Sequence, residues 1–281
     1  MECRIVTKEL IDEFKLNLQT EERSQNTVEK YLRDVRKFML SVGTCEITKE
    51  VVVAYKEKLI STKYAIRSIN SMLASLNALF TFLGWDDCKV KFIKVQRQMF
   101  CPKEKELTKG EYECLVKEAK RLGNERLYLI LQTICGTGIR VSELQYITVE
   151  AVSTGMVTVL LKGKNRTILI VNALKKKLLN YARRQNILSG AIFVTTNGNV
   201  VARSNVWREM KMLCNHTGVD PQKVFPHNLR HLFARSFYNI QKDIAKLADI
   251  LGHSSIDTTR IYITTTVEEH YRYMEKLRLI I

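Results

Sequence analysis

The stretch LGHSSIDTTRIY, Leu251–Tyr262, decides the reading of this chain. Leu251 and Gly252 read as the end of a helix, His253 follows at once, and Tyr262 stands nine positions further on. A half-buried aromatic is the commoner explanation of a lone tyrosine in an amphipathic segment. The other explanation is a hydroxyl aimed at a reacting group, and the rest of the sequence has to choose between them.

Polar side chains gather at two other places where a core pattern calls for apolar ones. In GTGIRVSEL, residues 136–144, two glycines make a tight turn and a helix is predicted to start near Arg140. Arg140 and Glu143 are then i,i+3 and share a face; in isolation such a pair is usually a surface ion pair of small energetic consequence. HNLRHLFARSFY, residues 227–238, begins behind Pro226, which suits a first helical turn. His227 and Arg230 are again i,i+3, while Leu229, Phe233 and Phe237 face inward. His227 and His231 have the i,i+4 spacing of a metal pair. The glutamate of an HExxH motif is missing and no third ligand is evident, so no metal is expected. His231 reads instead as a structural residue bonding across its domain. Tyr271 and Tyr273 have no matching histidine and read as ordinary aromatics.

Composition narrows the partner. The 281 residues carry a net charge of +16, and residues 1–100 hold 17 basic and 13 acidic side chains against 28 and 16 in the remainder. Both parts are basic, which calls for an anionic partner, either nucleic acid or an anionic membrane surface. No run of about 18 apolar residues exists, so no membrane span is expected, and the N-terminus lacks a signal-peptide core. The seven cysteines are scattered without a CxxC pair and read as reduced thiols of a cytoplasmic protein.

The first 85 residues read as four helices. Thr7 caps the first, with Leu10, Ile11, Phe14 and Leu18 on one stripe; Tyr31, Val35 and Phe38 mark the second. KEVVVAYKEKLI is the third, and Ile69, Leu73, Leu76, Leu79 and Phe80 mark the fourth. From Asp86 to Glu106 the period fails and charges crowd in, the pattern of a linker. Helices are predicted again near 108–121 and 124–135, the second ending at Gly136. MVTVLLKGKNRTILIV then reads as a β-hairpin about KGKN, followed by a helix, a short strand AIFV, and helices over 206–218, 225–240 and 242–252. The fold class is mainly α, with a four-helix N-terminal domain (1–85), a linker (86–106) and a mostly helical second domain with a small antiparallel sheet (107–281).

Taken in order, Arg140, a hairpin lysine, His227 with Arg230, His253 and Tyr262 resemble the site of the tyrosine recombinase (phage integrase) family. TGIRVSEL, HNLRH and LGHSSIDTTRIY match its motifs in its order, and NTVEKYLRDVRKF with INSMLASLNALFTFL resembles its SAM-like core-binding domain. Three ordered motifs are far less probable by chance than any one of them. The resemblance implies that Tyr262 attacks a DNA phosphorus to give a 3′-phosphotyrosine, that Arg140 and Arg230 hold the non-bridging oxygens, and that His227 helps move the phenolic proton. It implies that His253 bonds a phosphate oxygen and Glu143 orients Arg140. It implies a hairpin lysine as general acid: Lys162 keeps the family's Lys-Gly order, Lys164 is the alternative because the turn LKGKNR is about one residue shorter than the family pattern, and the remaining reading of either is a plain phosphate contact. No cofactor is implied. The implied partner is double-stranded DNA with short inverted core sites, in a bacterial cytoplasm and on its nucleoid. For the tail after Tyr262 the resemblance implies docking on the next protomer of a homotetramer; the other reading is a helix that folds back on its own domain. The biological expectation is integration or excision of a mobile element, or Xer-like resolution. The competing expectations are a non-cutting DNA-binding protein of the same ancestry and a type IB topoisomerase.

Overall fold

Thr7 accepts a hydrogen bond from the Leu10 N–H at 3.4 Å and starts helix α1 (Lys8–Thr20). Three more helices follow, α2 (Gln25–Val42), α3 (Lys49–Ser61) and α4 (Ile66–Phe82). The computed structural model describes residues 4–43, 45–95, 106–161, 164–262 and 267–278. The chain divides into two compact units, Met1–Arg97 and Gln98–Ile281.

In the first unit the predicted stripes converge. Phe14, Leu18, Val35, Phe38, Ile69, Leu73, Leu76, Leu79 and Phe80 are all buried, while Leu10, Ile11 and Tyr31 are only partly covered. The Phe38 ring meets Tyr55 edge-on at 4.9 Å between centroids. Asp34, the one charged side chain buried in this core among the described residues, is held by Lys30 at 3.0 Å and the Ser75 hydroxyl at 2.9 Å.

The linker predicted from Asp86 does not begin there. Asp86–Cys88 form a 3-10 turn, Cys88 and Val90 are buried in the four-helix core, and the chain then runs extended beside α3 and α4. Asn77 pairs with both backbone groups of Val90 (2.9 and 3.0 Å), and Asn70 with both of Ile93 (2.8 Å each). Lys49 and Lys56 of α3 donate to the carbonyls of Lys89 and Lys91. Two asparagines on one helix thus serve as a substitute strand for a segment whose charges had suggested a free tether.

The second unit packs α5 (Lys109–Arg121), α6 (Glu125–Thr137), α7 (Val149–Thr154), α8 (Asn172–Arg184), α9 (Arg203–Thr217) and α10 (Pro226–Gln241) about its main apolar core; Leu247 and Leu251 of α11 (Ile244–Leu251) form a smaller cluster with Ala234 of α10 and Tyr262, and α12 (Ile256–Arg260) and α13 (Val267–Leu277) complete the order. The sheet is the antiparallel pair β1 (Met156–Leu161) and β2 (Lys164–Leu169). Its register sets Val157 opposite Ile168 and Val159 opposite Arg166, so these four share the buried face. The predicted strand AIFV is absent as such: Ala191 and Val194 make only isolated bridges, to Thr148 and Val200.

α6 passes through Gly136 and is capped two residues later by Gly138 in the left-handed conformation (φ +67°). A Cβ there would lie 2.5 Å from Phe233 Cδ1 and 3.0 Å from Leu251 Cδ2. Only a glycine lets α10 and α11 close on this turn. The packing fixes the two residues that follow, Ile139 and Arg140.

Candidate active site

Arg140 lies just before a 3-10 turn, Val141–Tyr146, in place of the predicted helix start. Its N–H donates to Glu143 Oε2 at 2.8 Å and its Nη1 to Oε1 at 2.9 Å. The surface-pair reading of these two fails, because Glu143 is 1% exposed. The same carboxylate also accepts from Nη2 of Arg166 at 2.9 Å, so one buried acid bridges two arginines.

Pro226 opens α10, and its first two turns carry His227, Arg230 and His231. Arg230 is 1% exposed. It donates to the Gly138 carbonyl, to the Leu251 carbonyl at 2.7 Å and, through the same Nη2, to His253 Nε2 at 3.0 Å. Its Nε is buried with no hydrogen-bond partner among the described residues. Burial, then the charge of Arg140, pulls its pKa down to about 10 against the opposing effect of the Tyr262 phenol, so the guanidinium stays charged at neutral pH.

His253 follows the left-handed Gly252 that ends α11. Since an arginine only donates, its Nε2 is the acceptor and the proton sits on Nδ1, which faces the buried Thr259 hydroxyl at 2.9 Å. Burial, then Arg230, Arg140 and Arg166, hold His253 down at about 4. With Nε2 engaged this way, the predicted bond from His253 to a phosphate oxygen requires a proton at Nε2 and a turn of Arg230.

Tyr262, 6% exposed, closes the site from the end of α12. Its ring packs with Ala234, Leu247 and Leu251 and stacks on His231 at 4.2 Å. Its hydroxyl lies 3.4 Å from His227 Nε2. Burial and the charges of Arg230, Arg140 and Arg203 lower the His227 pKa, and burial with His227 and Arg230 brings His231 to about 4. These rings are therefore neutral at pH 7, and His227 can take a proton from the phenol. His231, expected to bond across the domain, is instead a stacking partner of the tyrosine.

The structure thus brings together Arg140, Glu143, His227, Arg230, His231, His253 and Tyr262. Lys162 lies outside the described residues, as does the side chain of Lys164, whose backbone opens β2. Sequence reasoning missed Arg166 and Thr259. The signal for Arg166 was present: Ile168 and Ile170 are inward, and Arg166 has the same parity. Among the described residues no group of His, Cys, Asp or Glu is arranged to hold a metal ion, and no helix is long and apolar enough to cross a membrane.

An arginine-rich pocket closed by a tyrosine, on a mainly helical unit with a two-stranded sheet, defines the tyrosine recombinase class of enzyme. The family model described as "Phage integrase family" matches residues 105–269, and "Phage integrase, N-terminal SAM-like domain" matches residues 11–87. The chain belongs to the phage integrase family and is a site-specific recombinase. It is 31% identical over 287 residues to tyrosine recombinase XerA of Pyrococcus furiosus, covering 100% of this chain and 98% of that protein. It is 26% identical over 266 residues to tyrosine recombinase XerD of Vibrio cholerae, covering 87% of each. Its fold is shared with a lambda integrase dimer bound to a COC′ core site (TM-score 0.72, 19% identity, 92% of this chain and 78% of that one) and with the XerA recombinase (TM-score 0.54, 24%, 97% and 99%).

Proposed function

We propose that this protein cuts and rejoins double-stranded DNA at short inverted core sites through a covalent 3′-phosphotyrosine on Tyr262. The observation that carries the proposal is the Tyr262 hydroxyl 3.4 Å from a neutral His227, in a pocket whose charge comes from Arg140 and Arg230. In the forward step the phenolic oxygen bonds to phosphorus and its proton passes to His227 Nε2. The P–O5′ bond breaks, and its electron pair leaves with the 5′ oxygen, which takes a proton from Lys162, or from Lys164 in its place. Arg140 and Arg230 hold the two non-bridging oxygens as charge develops on them, with a planar fork suited to phosphate. Because the bond energy is kept in the phosphotyrosine, a 5′-hydroxyl from another duplex reverses the step without a nucleotide cofactor.

The full-length likeness to Xer recombinases and the basic charge of both parts support action on DNA within a cytoplasm, at a nucleoid site or a mobile-element end. α13 presents Tyr271, Met274 and Leu277 at 61–66% exposure, an apolar series suited to docking on a second protomer in a tetramer. Removing residues 267–281 is expected to abolish cooperative DNA binding and synapsis while single-site binding persists; intact synapsis would remove the tail from the assembly.

The deciding experiment uses a nicked duplex carrying a site that the protein itself selects from random-sequence DNA. The wild type is expected to be trapped on this DNA as a denaturation-resistant adduct, and Tyr262→Phe to shift the band without forming one. An adduct that survives Tyr262→Phe, or none with the wild type, overturns the proposal.

A further inference from the structure

Arg166 connects two separate parts of the site, yet none of the steps above uses it. It stands on the apolar face of β2, opposite Val159 and two residues before buried Ile168, where a hydrophobic side chain would satisfy the pattern. Its side chain is 9% exposed. One nitrogen, Nη2, donates to Glu143 Oε2 at 2.9 Å, and that carboxylate also holds Arg140 at 2.9 Å. The other, Nη1, donates to the Leu251 carbonyl, and that oxygen also accepts from Arg230 at 2.7 Å. Each prong of the fork thus ends on an acceptor shared with one of the two arginines assigned to the phosphate.

We infer that Arg166 is a positioning residue for DNA cleavage, which locks Arg140 and Arg230 into a single cradle through their shared acceptors, Glu143 and the Leu251 carbonyl. The inference rests on the reading of the site given under Proposed function. Both terminal nitrogens are engaged and the side chain is covered, so Arg166 acts through its neighbours and not on the substrate. Burying a third guanidinium among two others is unfavourable unless the geometry it imposes is used. A lysine cannot replace it, because a single ammonium on a flexible stem does not hold two acceptors at a fixed separation.

Gly252 completes the device. It adopts φ +62°, and a Cβ there would lie 2.3 Å from Arg166 Cδ and 3.3 Å from its Nη1. The absent side chain is what lets the stem of Arg166 cross the end of α11 to reach Leu251. Glycine at this position therefore does more than cap a helix. It admits the arginine that joins β2 to the two loops bearing Arg140 and His253.

The test compares the full chain with Arg166→Met, Arg166→Lys and Gly252→Ala on the self-selected nicked duplex. Each variant is expected to form the Tyr262 adduct about tenfold to a hundredfold more slowly at saturating protein, the scale for losing an orienting partner. DNA affinity is expected to stay within about threefold, since no phosphate contact is removed. A 5′-bridging phosphorothiolate, whose leaving group needs no proton, is expected not to restore the rate. Gly252→Ala keeps every charge and so serves if Arg166→Met fails to fold. A DNA-free measurement separates this inference from the recombinase reading: by NMR, His253 is expected to titrate near 4 in the wild type and measurably higher in Arg166→Met, still below an ordinary histidine because burial, Arg230 and Arg140 remain, with Arg166→Lys staying low because it keeps the charge. An unchanged adduct rate, full rescue by the phosphorothiolate, a loss of rate matched by an equal loss of DNA affinity, or identical His253 titrations would each overturn the inference. Absence of any wild-type adduct bears on Tyr262, and the titration still decides Arg166.

Discussion

Acidification should weaken the catalytic unit through its histidines, and the size of the loss follows from their surroundings. His231 is held at about 4 by burial, His227 and Arg230, against about 6.5 in an unfolded chain. A folded state with a depressed histidine pKa refuses a proton that the unfolded state accepts. Stability is therefore fully present above about pH 6.5 and falls as the pH drops toward 4. At pH 5 the unfolded form is nearly all protonated and the folded form nearly all neutral, so His231 alone withdraws about 2 kcal/mol. His253, also held at about 4, is more open to solvent and contributes about 1 kcal/mol after screening. His231→Phe keeps a ring stacked on Tyr262 and removes the titrating group. The two tryptophans make the measurement clean, because Trp85 is in the first unit and Trp207 in the second. In a Trp85→Phe background, urea unfolding followed by Trp207 fluorescence reports the catalytic unit within the full chain. Moving from pH 7.5 to 5.0 is expected to cost the parent about 3 kcal/mol and the His231→Phe protein about 1 kcal/mol. Equal pH responses in the two proteins would refute the assignment of neutral, charge-surrounded histidines.

Other perturbations test other parts of the site. Gly138→Ala places a methyl 2.5 Å from the Phe233 ring at a left-handed residue, and thermal unfolding is expected to show a loss of about 2–4 kcal/mol from the second unit. Lys162→Ala is expected to slow cleavage far more than it weakens DNA binding, and a 5′-bridging phosphorothiolate to restore it; failure of that rescue removes the acid role. DNA binding at pH 6 is expected to take up protons, because a phosphate beside Arg230 and Arg140 offsets the positive charges that help hold the His253 pKa down. Calorimetry in two buffers of different ionisation enthalpy measures the uptake, and His253→Asn is expected to lower it.

The motifs were legible because each breaks a hydrophobic period at a fixed place, with charge beside glycine in two of them and beside Pro226 in the third. TGIRVSEL, HNLRH and LGHSSIDTTRIY each mark a loop or first helical turn where a core pattern stops. What stayed hidden has three physical causes. Arg166 sits on the apolar face of a strand, and an arginine next to a turn rich in lysine and asparagine reads as solvent-exposed until the register is known. Asn70 and Asn77 lie seven residues apart on α4, where polar residues read as a wet face; they in fact supply backbone partners to Val90 and Ile93. Gly136 and Gly138 both look like helix stops, and only the approach of Phe233 and Leu251 decides for the second. All three depend on which chain segment comes to lie alongside, a long-range fact that local patterns do not carry.

The same dependence explains how the site is held. Arg140, Arg166 and Arg230 are set against one carboxylate, Glu143, so the cluster is two positive charges in excess, and the three histidines beside it are kept neutral. Such an excess is tolerable only if dipoles solvate it. Two carbonyls do so, Gly138 at the end of α6 and Leu251 at the end of α11, each near a helix C-terminus where the backbone carries partial negative charge. Left-handed glycines, Gly138 and Gly252, end both helices at these points. The glycines of TGIR and LGH thus set the aim of the carbonyls that hold the arginines. The charge excess, with Arg230 Nε still unpartnered among the described residues, is what an anion such as a phosphodiester would offset.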